Sequence, residues 1–481
     1  MTLADLLDAP DHPVDPDAPV VHAGGVSHSW ADVRTRAASV AGDLAAAGVA
    51  PGNAVGVMLP NGADLIATLF GVWRAGAVYI PLNPRLTDGE VAHILSSTGP
   101  AAVVSPDGIE ARPDPRTFDA DVALVQFTSG TTGRPKPVLL THSGVVTLLD
   151  GVISKLRGAR PAPTGPGTTS PPPMPNLIPV SLSLWAGIYN VLFALRVGAP
   201  VVVMDGFDPL ELATLVRRHG IRSTVLPPAA MVALVDDARV TDLAPLRFVR
   251  SITAPLSPRQ ARRFRDRFGI SVLNSYGQTE IGGEIIGWSA ADSRAHGDDK
   301  LGSVGRPHAG VEVRIGAPGD DGAGELQVRT PAMSKGYADG SDLADRLTAD
   351  AWFRTGDIAR IDDDGFVWIE GRVSDMVNRG GLKVFPAEVE DVLLSSPDVA
   401  DVAVVGRPDE RLGEAPVAFV VAAPGVAPSS DGLSDYCRAH LAPYKVPVRF
   451  EIVDALPRNE VGKVLKSELK AQVETAKGSH A

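Results

Sequence analysis

Apolar runs alternate with amphipathic helical segments along most of this chain. Residues 31–49, ADVRTRAASVAGDLAAAGV, carry apolar residues at helical spacing, and the short apolar run AVGVMLP follows. A later example is PVVVMD before PLELATLVRRHG. Apolar runs of strand length between amphipathic helices are typical of α/β proteins with buried sheets. The first part of the chain is therefore predicted to be α/β.

The pattern changes near residue 310, where short alternating strands begin. The segment IARIDDDGFVWIEG holds two such strands separated by DDDG, which predicts a hairpin. After residue 372 the segments EVEDVLLSS, VADVAVVGR and PVAFVVA indicate a smaller α+β unit. We predict a large N-terminal core domain of packed sheets and helices (residues 1–371) and a smaller, mobile α+β C-terminal domain (residues 372–481).

Composition excludes several classes of function. The chain has 481 residues and a net charge of −12, and a general binder of nucleic acid or anionic membranes would normally be basic. Its single cysteine, Cys437, rules out an internal disulfide and a cysteine cluster for zinc. No membrane span is expected, because no apolar run approaches about 18 residues. The first residues lack the features of a secretory signal, so a cytoplasmic location is expected.

The stretch TSGTTGRPK, from Thr128 to Lys136, is the strongest candidate for a binding loop. Glycines let several backbone N–H groups turn toward one anion, and the hydroxyls and the lysine add further donors. The loop does not match G-x-x-x-x-G-K-[ST], and at Gly462-Lys463 the first glycine of that pattern is replaced by Pro457. A common P-loop kinase or ATPase is therefore disfavoured. A solvated turn is the alternative that the composition of the loop leaves open.

The ordered run T-S-G-T-T-G-x-P-K resembles the phosphate loop of the adenylate-forming (AMP-binding) superfamily. Further motifs occur in the order of that family: NSYGQTE (274–280), FRTGDIARIDDDGFVWIEGR (353–372), NRGGLKVFPAEVE (378–390) and PRNEVGKVLKSEL (457–469). The matches span almost the whole chain. Members activate a carboxylate as acyl-AMP with release of pyrophosphate and then transfer the acyl group to a thiol.

The resemblance implies a set of nucleotide-binding positions. They are Thr128, Ser129, Gly130, Thr131, Thr132, Gly133 and Lys136 in the loop, Ala254, Pro255, Asn274, Ser275, Tyr276, Gly277 and Thr279 around the base and phosphates, and Asp357, Arg372 and Lys463. Asp357 is the implied acceptor for the ribose hydroxyls, and Tyr276 lies against adenine. The segment TAPLS departs from the family, since Ile252 and Thr253 stand where glycines are usual.

The implied catalytic residues are Lys463, Lys136, Glu280 and Thr279. Lys463 bridges the attacking carboxylate and the α-phosphate, and one ammonium there stabilises charge that builds in the transition state. Glu280 is the implied Mg²⁺ ligand, a hard oxygen for a hard cation. Without the resemblance, a solvent-exposed turn is the better interpretation of Lys463.

The thiol-transfer step implies a rotation of the C-terminal domain. The implied hinge is Ser374, where the family usually has aspartate or lysine. Gly380 and Gly381 would then line the tunnel for the pantetheine arm, where glycine permits a close backbone approach.

The segments GGLKVFPAEVE and LAPYKVP resemble acyl-CoA synthetases more than amino-acid-activating domains, so coenzyme A is the expected acceptor beside ATP and Mg²⁺. The segment 173–192 is apolar and predicts an apolar carboxylic acid, in a pocket that includes Val180, Trp185 and Gly282. An ordinary helix core is an equally good interpretation of this segment. A stand-alone ligase that loads a carrier protein and a catalytically silent nucleotide-binding protein remain alternatives. Whether the chain forms a homodimer stays open. One more departure is Pro137, where the family usually has glycine.

Overall fold

The computed structural model describes residues 1–8, 10, 14–128, 135–157, 173–459 and 462–475. Within these ranges the chain forms β-strands with the following bounds: β1 Pro19–Ala23, β2 Val26–Ser29, β3 Ala54–Val57, β4 Val78–Pro81, β5 Ala102–Ser105, β6 Gly108–Ala111, β7 Val122–Thr128, β8 Lys136–Thr141, β9 Asn176–Ile178, β10 Val201–Val203, β11 Ser223–Leu226, β12 Phe248–Ser251, β13 Ser271–Leu273, β14 Ser275–Gln278, β15 Gly283–Gly287, β16 Arg306–Pro307, β17 Glu312–Gly316, β18 Gly324–Arg329, β19 Phe353–Ile361, β20 Val367–Arg372, β21 Val377–Arg379, β22 Leu382–Val384, β23 Val399–Asp409, β24 Gly413–Ala422 and β25 Arg449–Ile452.

The α-helices in the same ranges are α1 Asp5–Asp8, α2 Trp30–Ala46, α3 Ala63–Arg74, α4 Asp88–Thr98, α5 His142–Arg157, α6 Trp185–Arg196, α7 Pro209–Arg218, α8 Pro228–Asp236, α9 Pro258–Phe268, α10 Ala290–His296, α11 Pro386–Leu394, α12 Ser430–His440 and α13 Lys466–Thr475. Short 3₁₀ turns cover Thr279–Ile281, Ala344–Arg346 and Pro443–Lys445. None of the helices in the described ranges combines the length and the apolar content that crossing a bilayer requires.

Two large sheets form the first part of the chain. One has the order β6-β5-β3-β4-β7-β8 and the other the order β13-β12-β11-β9-β10-β1-β2. The inner strands of both pair in parallel and are buried, which is why they read as continuous apolar runs. The helix predicted over 31–49 is α2, which begins with a capping box formed by Ser29 and Asp32.

Antiparallel strands follow, as the change of pattern near residue 310 predicted. The strands β17-β18-β19-β20 form a sheet, and β19 and β20 pair from Ile361 and Val367 outward. The hairpin predicted at DDDG is therefore confirmed. A small sheet of β14, β15 and β16 lies before it in the chain.

The last part of the chain has its own sheet and its own apolar core. The strand order is β22-β21-β24-β23, with β25 paired to β24. The helix α11 packs against β23, and the buried core of this unit includes Val404, Val420 and Cys437 from β23, β24 and α12. The predicted fold class, a large α/β unit followed by a smaller α+β unit, is confirmed by these sheets. The preceding sheet ends at Arg372 and β21 begins at Val377, and the division at residues 371 and 372 stays a prediction.

Candidate active site

A large cleft runs between the N-terminal sheets and the C-terminal unit. Its volume is ≈ 2640 Å³, more than the roughly 300–1,000 Å³ of a pocket for one small ligand. Side chains from both units line it, among them Tyr276, Asp357 and Lys463. The cleft is therefore large enough to hold several ligand groups side by side.

Thr128 and Lys136 frame the two ends of the candidate phosphate loop. They are opposite each other in the antiparallel pair of β7 and β8. The Lys136 ammonium lies 5.2 Å from the centre of the Tyr337 ring, a cation–π contact that positions this lysine. The loop residues Ser129, Gly130, Thr131, Thr132 and Gly133 lie outside the described residues.

Asp357 and Arg372 face each other on neighbouring strands. They are register partners in β19 and β20, and the Arg372 Nε lies 3.1 Å from Asp357 Oδ1. Asp357 is only 4% exposed, so its carboxylate is held within the wall of the cleft. Its other oxygen accepts hydrogen bonds from the Tyr276 hydroxyl (2.6 Å) and from Gln278 Nε2 (2.7 Å).

Gln278 is a site residue that the sequence interpretation missed. It occupies the variable position of the Tyr-Gly-x-Thr-Glu motif, and its Nε2 also contacts the Tyr276 hydroxyl (3.0 Å) and the Thr355 carbonyl (2.9 Å). Burial and the nearby Asp357 carboxylate raise the pKa of Tyr276 well above its usual value, so this hydroxyl stays protonated. Tyr276 and Gln278 thus orient the carboxylate of Asp357.

Glu280 follows in a 3₁₀ turn, Thr279–Ile281. It is 9% exposed, and no hydrogen bond or ion pair within the described residues ends on its carboxylate, whose oxygens keep some access to solvent. A buried, unpaired carboxylate is costly unless a cation or another donor joins it. Thr279 lines the cleft beside it. In the described parts of the chain, no group of three or more His, Cys, Asp or Glu side chains could hold a metal ion by itself.

The positions proposed to surround adenine lie on one wall of the cleft. Asn274 is buried, its Nδ2 donates to the Ser303 carbonyl (3.4 Å), and its Oδ1 accepts from the Ser275 N–H (3.0 Å). Ala254 and Pro255 also line the cleft, as does Ser275.

Gly277 belongs to the same wall and has no room for a side chain. A Cβ at this position would meet the carbonyl oxygen of Gly283 at 1.8 Å.

Thr253 adopts φ of 71°, a left-handed conformation that favours glycine. The segment that contains Thr253 therefore keeps the backbone conformation of a glycine at this position, although threonine stands where the family usually has glycine.

Lys463 lies in a tight turn that is held by two hydrogen bonds to Asn459. The Lys463 N–H donates to Asn459 Oδ1 (2.9 Å), and the Asn459 N–H donates to the Lys463 carbonyl (2.9 Å). A Cβ added at the preceding Gly462 would lie 3.1 Å from the Cβ of Ala229, so the turn touches α8 of the N-terminal unit. Burial, followed by the positive charge of Arg372, lowers the pKa of Lys463. The C-terminal unit thus delivers this lysine to the cleft.

The proposed hinge and tunnel residues lie at the surface. Ser374 is exposed between β20 and β21, its hydroxyl donates to Asp375 Oδ1 (3.3 Å), and its carbonyl accepts from Lys470 Nζ (3.2 Å). Gly380 and Gly381 form the tip of the β21–β22 hairpin, with φ of 62° and 86°. Two positive φ values suit a two-residue turn of this kind.

The three residues proposed for an acyl pocket occupy different places. Trp185 lines the cleft, and its Nε1 donates to the Gly282 carbonyl (2.8 Å). Val180 is buried in the main hydrophobic core. Beside Gly282 the space that a side chain would occupy is not free, because a Cβ there would lie 2.7 Å from the Cβ of Ala332. Protein atoms already fill that space.

A buried ion pair in the cleft wall was also missed by the sequence interpretation. Arg250 Nη1 and His308 Nε2 lie 2.8 Å and 3.0 Å from the same oxygen, Oε1 of Glu284. Burial alone would raise the pKa of Glu284, yet the Arg250 guanidinium and the bond to His308 outweigh it and hold the pKa at about 2. Burial lowers the pKa of His308, so its ring is neutral near pH 7.

Comparison with known proteins decides the family. The sequence model described as "AMP-binding enzyme" matches residues 12–119 and 105–338, and the model described as "AMP-binding enzyme C-terminal domain" matches residues 388–463. The chain belongs to the AMP-binding enzymes. The superfamily predicted from the motifs is thereby confirmed.

Several curated relatives of this AMP-binding enzyme match along nearly their whole length. It is 32% identical over 489 residues to the feruloyl-CoA synthase of Amycolatopsis sp, covering 95% of this chain and 96% of the relative. It is 30% identical over 494 residues to the fatty acid–[acyl-carrier-protein] ligase ScoC of Streptomyces coeruleorubidus, covering 95% and 93%. Its fold matches the ATP-bound structure of MatB from Rhodopseudomonas palustris with a TM-score of 0.86 at 25% identity, covering 99% and 100% of the two chains.

Proposed function

We propose that this enzyme is an ATP-dependent ligase that joins a carboxylic acid to the thiol of coenzyme A. A carboxylate oxygen first attacks the α-phosphorus of ATP, which forms acyl-AMP and releases pyrophosphate. The thiol sulfur then attacks the acyl carbon, which forms the thioester and releases AMP and the thiol proton. The name and the coverage of the feruloyl-CoA synthase relative support this activity, as does the ATP-bound state of the MatB structure.

The observation that carries the proposal is the approach of Lys463 to the Asp357–Arg372 pair. All three side chains line the same cleft, although Lys463 lies about 90 residues or more after the other two in the chain. The Arg372 and Asp357 charges also act on the pKa of the lysine, in opposite directions. An ammonium in this position would neutralise the carboxylate and the α-phosphate as they approach each other.

The N-terminal residues have distinct roles in this proposal. The loop from Thr128 to Lys136 would hold the β- and γ-phosphates, and Asp357 would accept hydrogen bonds from the ribose hydroxyls. Carboxylate oxygens suit two vicinal hydroxyl donors. The ring of Tyr276 would lie against adenine, with its hydroxyl keeping Asp357 in place.

The residues around Glu280 fit a magnesium ion only together with the nucleotide. Mg²⁺ in such sites takes one or two carboxylates together with substrate phosphate oxygens and water. The unpaired, buried carboxylate of Glu280 matches that need, and the hydroxyl of Thr279 is its neighbour. Bound there, the ion would supply positive charge for the departing pyrophosphate.

The thioester step is proposed to use another arrangement of the C-terminal domain. Rotation about Ser374 would withdraw Lys463 and bring Gly380 and Gly381 to the cleft. The two glycines are exposed at a hairpin tip, where a pantetheine arm could pass the backbone closely. Consumption of ATP and coenzyme A fits a cytoplasmic enzyme.

Transfer to a carrier protein is the second candidate function. The match to ScoC, a fatty acid–[acyl-carrier-protein] ligase, favours it. The two functions share the adenylation step and differ only in the thiol. Thioester formation should be compared with coenzyme A and with a pantetheinylated carrier protein at equal concentrations. Product with the carrier alone would replace the first candidate by the second.

Substitution of Lys463 tests the adenylation step directly. Lys463→Ala is expected to slow pyrophosphate release by at least about 10²-fold, because the charge that stabilises the transition state is lost. Binding of AMP, measured by calorimetry, should change little. Lys466→Ala is the matched control, since Lys466 is three residues away and pairs with Glu390 at 2.7 Å. Full adenylation activity in Lys463→Ala, or equal losses in both variants, would reject the role of Lys463.

A further inference from the structure

The cleft wall opposite Gly277 carries three buried polar side chains that the adenylation chemistry does not use. Glu284 is the register partner of Gly277 across β14 and β15, and Arg250 lies on β12. Tyr189 is on α6, four residues after Trp185. The exposed fractions of the Arg250 and Glu284 side chains are 14% and 10%, and all three residues line the cleft.

The hydrogen bonds of this group are incomplete. Both contacts to Glu284 end on Oε1, and no donor among the described residues reaches Oε2. The Tyr189 hydroxyl is buried and has no hydrogen-bond partner in the described part of the chain. The only hydrogen bond from the Arg250 guanidinium within the described residues leaves from Nη1. Buried polar groups are normally satisfied, so the Tyr189 hydroxyl lacks a partner that it would be expected to have. Oε2 of Glu284 has no donor in the described part of the chain and is not closed off from solvent, so it can accept a hydrogen bond from a bound group.

The charge of the group restricts what that bound group is. The Arg250 guanidinium and the Glu284 carboxylate lie 2.8 Å apart and compensate each other. A second carboxylate would face Glu284, and an ammonium would face Arg250, so each would meet a like charge. A hydroxyl carries no net charge, donates to an acceptor such as Oε2 and accepts from a guanidinium.

The rest of this wall is suited to an apolar body. The rings of Trp185 and Tyr189 meet edge to face at 5.8 Å between centroids, and Phe193 and Val225 also line the cleft. The Trp185 indole is held in place, because its Nε1 is bonded to Gly282 and a Cβ at Gly283 would lie 2.7 Å from that nitrogen. The apolar acid expected from the sequence therefore meets a polar group on this wall.

We propose that Arg250, Glu284 and Tyr189 are specificity-determining residues that select a carboxylic acid with a neutral hydroxyl group on an otherwise apolar body, at the end away from its carboxylate. The inference rests on the proposed ligase function and assigns the substrate class of the same cleft. It concerns the choice of acid and leaves the roles of Lys463 and Asp357 unchanged.

The first test uses the unmodified enzyme and pairs of acids that differ by hydroxyl against methyl. Suitable pairs are 4-hydroxycinnamate with 4-methylcinnamate, 4-hydroxybenzoate with 4-methylbenzoate, and 8-hydroxyoctanoate with nonanoate. Pyrophosphate release gives kcat/KM for each acid. In every pair that is accepted, the hydroxylated acid is expected to be favoured by about tenfold or more, because the methyl analogue leaves the buried polar groups unpaired.

The outcomes of this screen are distinct. Equal rates, a preference for the methyl acid, or release only with acids that lack a distal hydroxyl would overturn the inference and leave the ligase function intact. No pyrophosphate release with any acid would instead remove the proposed function.

A second test changes the wall itself. The double variant Arg250→Met, Glu284→Leu replaces the ion pair by apolar side chains, which proteins often tolerate better than the loss of one partner. Its hydroxyl-to-methyl ratio of kcat/KM is expected to fall to about one, while the methyl acid is used at least as well as before. Tyr189→Phe, a smaller change, is expected to lower the ratio partly. An unchanged ratio in a variant that still binds AMP would show that the pair only supports the fold.

The control for both variants is an ion pair between α6 and α5. Arg196 and Asp150 lie 2.9 Å apart, and neither lines the cleft. Removal of this pair by Arg196→Met and Asp150→Leu is expected to leave the ratio unchanged. If the double variant at Arg250 and Glu284 does not fold, the ratio in Tyr189→Phe decides the question, and a ratio equal to that of the unmodified enzyme would reject the assignment.

Discussion

The pKa of an individual side chain in this cleft depends on the neighbouring charges and on burial, as Lys463 shows. Lys463 is partly buried, and burial together with Arg372 lowers its pKa, while Asp375 and Asp357 act in the opposite direction. A lowered pKa means that this ammonium loses its proton at a lower pH than an ordinary lysine. The charge that the adenylation step requires is therefore present at low pH and disappears as the pH rises through the lowered value.

The pH dependence of adenylation should show this effect. We expect kcat/KM for pyrophosphate release to fall on the alkaline side, with an apparent pKa below that of free lysine. Arg372→Gln removes a repelling charge and should move this limb to higher pH, whereas Asp375→Asn removes an attracting charge and should move it to lower pH. The measurement is the pH profile of each variant. Shifts in the same direction for both would contradict the assignment of the limb to Lys463.

At the scale of single elements, the strand β8 shows how the chain accommodates Pro137. The Leu139 N–H donates to the Gly336 carbonyl, and the Ala338 N–H donates to the Pro137 carbonyl. A residue with an N–H at position 137 would complete this pattern by donating to the Ala338 carbonyl. Proline has no N–H, and the Arg116 guanidinium donates to that carbonyl instead.

This replacement of one donor by another predicts a coupling between two distant positions. Arg116→Met should lower the free energy of unfolding by about 1–2 kcal/mol, because it leaves a carbonyl without its donor. In a Pro137→Ala background, Arg116→Met should lower the free energy of unfolding by less. Alanine supplies a backbone N–H at position 137, and this N–H can donate to the Ala338 carbonyl in place of Arg116. Thermal unfolding of the two single variants and the double variant measures the coupling. Strictly additive losses would show that Arg116 does not substitute for the missing N–H.

The sequence predicted the elements well, because these depend on local patterns. The hairpin after Ile361 and the helix α2 follow from the periodicity of neighbouring residues. The Arg250–Glu284 pair could not be predicted in this way, since the two residues are 34 positions apart on different strands. Charged residues near such positions usually remain at the surface. β12 and β15 belong to two different sheets, and only the packing of these sheets brings the pair together in the cleft wall.

Glycines also show that the sequence alone does not predict which groups lie close together in the fold. Gly282 was predicted to be part of the acyl pocket, and the structure shows Ala332 where its side chain would be. An absent side chain indicates a close approach or a positive φ, but the sequence does not say which group comes close. Three-dimensional packing decides whether the neighbour is a ligand or another part of the protein.

At the scale of the whole molecule, residues of the N-terminal and the C-terminal units line one cleft. Adenylation is proposed for the arrangement described here, and thioester formation is proposed for a rotated arrangement of the C-terminal unit. In the arrangement described here, Lys463 is in the cleft and the hairpin tip at Gly381 is exposed, with no atom within 4 Å of a Cβ added there. A side chain at Gly381 would therefore start in open space in this arrangement, and we expect it not to disturb adenylation. It would obstruct the thiol only after the proposed rotation.

Gly381→Trp is accordingly expected to spare pyrophosphate release within about twofold and to reduce thioester formation by at least about tenfold. The control is Gly425→Trp, because Gly425 has a similar φ of 77° and also has open space around it, so it carries the same backbone strain. Single-turnover assays measure the two half-reactions separately. Equal losses of both half-reactions in Gly381→Trp would count against a role of the hairpin in thiol transfer.

The ion pair of Arg250 and Glu284 has a consequence for the history of this enzyme. A mutation that removes either partner alone leaves an uncompensated charge inside the protein, at a cost of about 3–5 kcal/mol, a large part of the total stability of a typical domain. Descendants that use a different acid would have to tolerate this loss of stability in an intermediate with one partner, or change both residues at once. Preference for a substrate is thereby inherited as a linked pair of positions, and lineages that share this cleft should gain or lose both charges together.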